Sequence, residues 1–311
     1  MNVDAPYGAV ILIGFGGPRS AAEVPPFLDR VTAGRPIPRE RYEEVVRHYE
    51  LIGGRSPLNA LTRRQGDALA AALAARDRAL PVWVGMRNWH PFLHETLAEM
   101  KDRGRRRAVG IILSSLQTEA SWARYVDDVA AAREKVGPDA PEVVFAPPWA
   151  DHPRFVDAMA DRTRAALEAV EPARRAAARL VFTAHSVPVA MAAGSPYAAQ
   201  LEAAGRAIAG RLGRASWTIA YQSRSGSPRD PWLEPDVADA IRALGREGAR
   251  DVVVVPVGFV CDHVEVLYDL DVEARRAAEA VGVAFHRAPA ANDHPDFIAM
   301  LADLVDRVTE R

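Results

Sequence analysis

Eight short apolar runs, rich in Val, Ile and Leu and separated by longer helical stretches, constrain this chain more than any other feature. They fall at residues 8–15, 81–86, 108–113, 142–146, 178–184, 217–221, 251–260 and 282–286. Such runs lack the apolar–polar alternation of a half-exposed strand, so each reads as a strand buried on both faces. Helical patterns follow at 21–50, 59–76, to about 103, at 122–135, 153–170, 196–212, to about 247 and at 294–309. Regular alternation of this kind specifies α/β architecture with parallel sheets and helices on both faces. The rhythm of the first half repeats in the second. The expected fold is therefore two similar Rossmann-like domains, each a four-stranded parallel sheet flanked by helices. The expected domains are 1–150 and 151–311, with the last helix free to pack back on the first.

Composition removes several classes of function. The 311 residues are 49% hydrophobic and 26% charged, with a net charge of −2, which describes a globular chain and not a nucleic-acid-binding one. A single cysteine, Cys261, excludes a disulfide framework, a cysteine-based zinc site and a self-contained iron–sulfur cluster. The longest apolar run, near 252–261, is too short to span a bilayer. The start shows no basic segment leading into an apolar one, so a cytoplasmic location is expected. Glycines at 14, 16 and 17, with Arg19 where a third should stand, fail the dinucleotide fingerprint.

In open α/β sheets ligands bind beyond the carboxyl ends of the strands. Phe15, Arg87, His90, Ser114, His185, Gln222, His263 and Glu265 all fall at such ends. No G-x-S-x-G elbow surrounds Ser186 or Ser223, which argues against a serine hydrolase. His185 and Glu265 make a better pair: an imidazole that titrates near neutrality opposite a carboxylate, able to pass protons or to hold a divalent metal loosely. Beyond Glu265, carboxylates recur at Asp269 and Glu273. On an α-helix, steps of four advance about 40° each, so the three acids share one face and repel unless a cation visits.

These residues sit in motifs that resemble the ferrochelatases over essentially the whole chain. The motifs are Gly-Phe-Gly-Gly-Pro at 14–18, Tyr-Glu-Leu-Ile-Gly-Gly-Arg-Ser-Pro-Leu at 49–58 and Gly-Met-Arg-Asn-Trp-His-Pro-Phe at 85–92. They continue with Thr-Ala-His-Ser-Val-Pro at 183–188, Ala-Tyr-Gln-Ser-Arg at 220–224 and Asp-His-Val-Glu-Val-Leu-Tyr-Asp-Leu-Asp at 262–271. The resemblance implies a porphyrin cleft between the two domains and insertion of Fe²⁺, as substrate, with loss of two pyrrole protons. It implies no organic cofactor. His185 would stand at the macrocycle centre with Glu265 as its partner. Asp269 and Glu273 would extend a metal line along a locally widened helix, making 185, 265, 269 and 273 the metal-handling set. Phe15, Trp89 and Trp149 are candidate walls for the ring.

The porphyrin implied is coproporphyrin III. Region 21–41 carries arginines and prolines where protoporphyrin-using relatives have an apolar lip, and arginine suits a ring bearing four propionates. Arg30, Arg35, His48 and Ser56 are the candidate propionate contacts, with Arg87 and Tyr125 as further substrate contacts. Phe15 resembles the coproporphyrin-using branch, although phenylalanine offers no oxygen to iron. Asn88 replaces a histidine found in some relatives, so no metal role is carried to it. Alternatives are a protoporphyrin IX or other divalent-metal chelatase, and a non-catalytic porphyrin or haem carrier. Expected partners are the porphyrin and Fe²⁺, with transient contact to neighbouring haem-pathway enzymes, and neither nucleic acid nor a membrane span.

Overall fold

A computed structural model describes residues 6–34, 37–225 and 229–310. The described residues form two units, one within Met1–Ser114, Ala120–Pro148 and Asp293–Arg311, the other within Ser115–Glu119 and Trp149–Asn292.

The first unit holds strands β1 (Ala9–Gly14), β2 (Val82–Met86), β3 (Arg107–Ile112) and β4 (Glu142–Phe145), all parallel, in the order β2-β1-β3-β4. Every residue of β1 is buried, as a strand covered on both faces requires. Its core gathers Ile11, Ile13, Leu97, Met100, Ile112 and Val129 from strands and flanking helices. The final helix, Pro295–Thr309, belongs to this unit and lies against the helix Leu58–Ala74. Arg76, just past that helix, reaches Asp303 at 2.8 Å and Asp306 at 2.7 Å. Residues 21–50 are not one helix. They form Val24–Val31 and Arg39–Leu51, because the proline at 38 fixes an extended backbone where a helix would have to continue.

The second unit repeats the topology with β5 (Arg179–His185), β6 (Trp217–Gln222), β7 (Asp251–Val255) and β8 (Ala284–Arg287), parallel in the order β6-β5-β7-β8. Residues 115–119 belong here: Ser115 donates to the Val257 carbonyl at 3.0 Å, and the Gln117 amide to Gln200 at 2.8 Å. The strand expected over 251–260 ends at Val255. Pro256 cannot donate to a ladder, and the chain turns back so that Gly258 N–H meets the Thr183 carbonyl at 2.9 Å. Its apolar character persists because Val257 and Val260 remain buried without being strand.

The spacing of the acids alone suggests one α-helix, but the segment is the locally widened helix that the resemblance implied. Val264–Leu267 is α-helical, Asp269–Ala274 is a π-helical turn, and Arg275–Ala280 is α-helical again. Glu273 N–H donates to the Tyr268 carbonyl at 3.1 Å, the five-residue closure of a π turn. Val266, Leu270, Ala274 and Ala278 are all buried in the core of this unit and anchor the segment. Each acid of the 265, 269, 273 series stands one residue ahead of one of these anchors, which turns the carboxylates off the core face.

Candidate active site

In both sheets the order reverses between the first and third strands of the unit, and this switch point is where α/β sheets leave a crevice. In the second unit it lies at the ends of β5 and β7. His185 is the last residue of β5, and its carbonyl accepts the Tyr197 hydroxyl at 2.8 Å. Burial, with Tyr221 and Glu265 nearby, pushes that phenol far above its usual range, so it stays a neutral donor. Ser186 N–H donates to the Gln222 carbonyl at 2.7 Å and its hydroxyl to the Leu233 carbonyl at 2.8 Å, which makes it a structural residue.

The loop after β7 brings His263 and Glu265 to the same place. Glu265 Oε1 lies 3.9 Å from His185 Nε2, and its Oε2 lies 3.4 Å from His263 Nε2. The other ring nitrogens are occupied: His185 Nδ1 contacts the Ser186 carbonyl, and His263 Nδ1 is 3.2 Å from the Cys261 carbonyl. A carbonyl can only accept, so these partners assign the proton to Nδ1 in each ring. In each neutral ring Nε2 is then an acceptor facing a carboxylate, and three converging acceptors are stabilised by protons or a metal ion. Gln222 secures Glu265 from behind by donating to its main-chain carbonyl. Farther along the acid face, Ser223, held at φ +62°, donates its hydroxyl to Asp269.

Sequence reasoning pairs His185 with Glu265 and takes His263, two residues before Glu265, as a sign of a cation or acid–base site, without including it in the metal-handling set. That spacing is all the sequence offers for it. Ser223, Gln222 and Tyr197 act through contacts that no local pattern announces.

In the first unit, Phe15 follows β1 and is 39% exposed. Behind it Gly16 adopts φ +87°, and a Cβ there would stand 3.0 Å from the Trp89 amide nitrogen, so glycine is required. Trp89 is only 9% exposed: its Nε1–H donates to Glu23 at 2.7 Å and its edge meets Phe27. Trp149, expected as a ring wall, is 1% exposed and packs edge-on to Phe155 as core of the second unit. Arg30 lies over Phe92 at 4.3 Å. Arg87 pairs with Asp128 and covers the buried Tyr125 ring at 4.4 Å. Ser56 is buried in the turn, its N–H donating to the Pro18 carbonyl at 2.8 Å. His48 is buried too, and burial lowers its pKa to about 4, so it brings an uncharged imidazole rather than a cation. Arg35 lies outside the described residues.

Two imidazoles and a carboxylate that converge at the switch point of a parallel α/β sheet can take up protons or a divalent metal. The ferrochelatase family profile matches residues 7–309, and the chain belongs to the ferrochelatase family. It is 44% identical to the coproporphyrin III ferrochelatase of Mycolicibacterium smegmatis over 305 residues, covering 97% of this chain and 90% of that one. The enzyme of the same name from Mycobacterium avium is also 44% identical, covering 97% and 88%. Among solved structures, the sirohydrochlorin chelatase SirB of Bacillus subtilis subspecies spizizenii with cobalt shares the fold at TM-score 0.56 and 10% identity, covering 98% of this chain and 96% of that one. SirB from Bacillus subtilis with Fe³⁺ gives TM-score 0.59 at 10% identity, covering 97% and 95%.

Proposed function

We propose that this protein inserts Fe²⁺ into coproporphyrin III, the free-base ring losing its two pyrrole protons as two Fe–N bonds replace two N–H bonds. The observation that carries the reading is the convergence of His185 Nε2, His263 Nε2 and the Glu265 carboxylate. With Nδ1 of each ring turned to a carbonyl, Nε2 is the atom left to take a pyrrole proton or meet the metal. Glu265, between the rings, stabilises whichever becomes an imidazolium. Asp269 and Glu273 continue the negative potential along the helix and favour the approach of a cation. Iron here is substrate. No organic cofactor is proposed, and a single cysteine cannot supply the thiolates of an iron–sulfur cluster.

Two observations support coproporphyrin as the ring: relatives at 43–44% identity carry that name, and arginine is frequent in region 21–41. Arg30, Arg35 and Ser56 are proposed on this reading to meet propionates, with Phe15 and Trp89 against the ring and His48, Arg87 and Tyr125 shaping the site. No described helix is long and apolar enough to cross a membrane, and the reaction is proposed to occur in the cytoplasm, where neighbouring haem-pathway enzymes would meet the product.

Anaerobic Fe²⁺ insertion into coproporphyrin III, with protoporphyrin IX in parallel, tests the proposal. Wild type is expected to metallate coproporphyrin faster, and His185→Ala and Glu265→Ala to bind the ring without metallating it. Preference for protoporphyrin would refute the choice of ring. Binding without insertion by wild type would make the protein a carrier.

A further inference from the structure

Behind the acid face stands an arginine that the reaction as described does not use. Arg287, the last residue of β8, is 13% exposed at its side chain. Its Nε donates to Asp271 Oδ1 at 2.7 Å, and its Nη1 to Asp262 Oδ1 at 2.9 Å. One guanidinium thus spans two carboxylates, one just before His263 and one inside the π turn.

Asp262 is fixed on every side. It also accepts from the Ala290 amide at 3.3 Å and from Asn292 Nδ2 at 2.9 Å, while its own N–H donates to Asn292 Oδ1 at 2.9 Å. It therefore serves as a rigid post. Asp271 lies midway between Asp269 and Glu273, and its carboxylate is turned to β8. Arg275, from the following turn, donates to the Asp271 carbonyl at 3.1 Å and steadies the same point from within the helix.

A π turn differs from an α turn by one residue in the ring each hydrogen bond closes, and reverting it would rotate everything beyond by about 100° around the axis. Asp271 would then leave Arg287, and Glu273 would leave the face of Glu265. We infer that Arg287 is a positioning residue that latches the π turn against the His263 loop and so fixes where Asp269 and Glu273 stand relative to Glu265. The inference rests on the proposed chelatase reading, in which those acids serve the incoming metal.

The latch separates metal delivery from ring binding, and that separation is measurable. In Arg287→Gln and in Asp271→Ala, kcat/KM for Fe²⁺ should fall about tenfold or more, as losses of groups that orient metal ligands do, with coproporphyrin affinity by Soret titration essentially unchanged. Arg287→Lys should not restore the rate, since an ammonium is one compact charge and cannot span both carboxylates along two fixed N–H directions. Amide hydrogen exchange over 269–274 should quicken in all three. Wild-type iron kinetics in a folded Arg287→Gln protein would overturn the latch. So would parallel losses of iron insertion and ring affinity, which mark a general structural role, or full rescue by lysine. If Arg287→Gln does not fold, Asp271→Ala decides by the same readings. Failure of wild type to insert iron would instead refute the functional reading, and quickened exchange at 269–274 would still report the latch.

Discussion

Adding one methyl group at Gly258 should separate the two halves of the acceptor cluster. A Cβ there would stand 2.5 Å from the Ala184 Cβ and 2.7 Å from its Cα. Comfortable carbon contacts begin near 3.5 Å, so about 1 Å must be found. No flexible side chain can give way, because Ala184 lies within β5, one residue before His185. The loop after β7 must move instead, and it carries His263 and Glu265. The 3.9 Å gap between His185 and Glu265 would open by a comparable amount. Overpacking of this kind costs about 1–3 kcal/mol in stability. A 1 Å misplacement of reacting groups can cost about 10²-fold in rate. Gly258→Ala should therefore melt somewhat lower yet insert iron about a hundredfold more slowly, measured by loss of the free-base porphyrin spectrum under anaerobic conditions. Gly210, in the helix Tyr197–Arg211 with open space where a Cβ would go, is the control. Gly210→Ala should leave the rate alone and stabilise by about 0.5–1 kcal/mol. A Gly258→Ala protein that melts lower but metallates at the wild-type rate would refute the claim that this contact sets the spacing.

Glu265→Gln keeps the shape of the side chain and removes its charge, leaving an imidazolium formed on either ring without a counter-ion; insertion should fall about 10²-fold or more while ring binding persists. His48, with its pKa lowered to about 4, is neutral in the fold but protonates on unfolding below its usual value of 6.5. Its contribution is complete above pH 6.5 and is lost as pH falls towards 4, so His48→Gln should flatten the pH dependence of the unfolding free energy across that window by an amount on the order of 3 kcal/mol. Glu23 is lowered to about 2, first by its hydrogen bond from the Arg19 side chain and further by those from the Arg19 backbone and Trp89. Its stabilisation is present above pH 4.5 and lost as pH falls through 2. Glu23→Gln should be less stable than wild type at pH 7, by about 0.5–1 kcal/mol for so accessible a pair, with the difference closing in acid.

The alternation of strands and helices was legible because parallel strands covered on both faces are dominated by apolar residues, as β1, Leu180–Phe182 of β5 and Val252–Val255 of β7 are. The same rule overran at 251–260, since burial of Val257 and Val260 does not require a ladder and hydropathy cannot tell the two apart. Two of the three acceptors were legible too: His185 ends a strand, and Glu265 starts a series of acids. The spacing of His263 pointed to the site, but its specific contact was not legible, because that depends on Nδ1 reaching a carbonyl two residues back with Nε2 facing Glu265. Trp149 shows the opposite error. An aromatic after a strand reads equally well as a ligand wall or as core, and only its contact with Phe155 decides for core. Arg287 gives no sequence signal at all, being one arginine among many at the end of a short edge strand.

The π turn was implied by the family resemblance and not by the spacing of the acids, and the reason explains what it does. Acids spaced by four read alike on either kind of helix, but they do not point alike. An α-helix overshoots a full turn by about 40° every four residues. A π turn, with about 4.4 residues per turn, undershoots by roughly 33° over the same four. Passing from the α segment at Val264–Leu267 into the π segment at Asp269–Ala274 therefore lets the second step cancel most of the first. Glu273 returns close to the direction of Glu265, where an uninterrupted α-helix would have carried it about 80° away. The buried stripe of Val266, Leu270 and Ala274 is straightened in the same way and stays on the core. One inserted residue thus aligns both stripes at once, and the carboxylates form a line because the helix beneath them is widened.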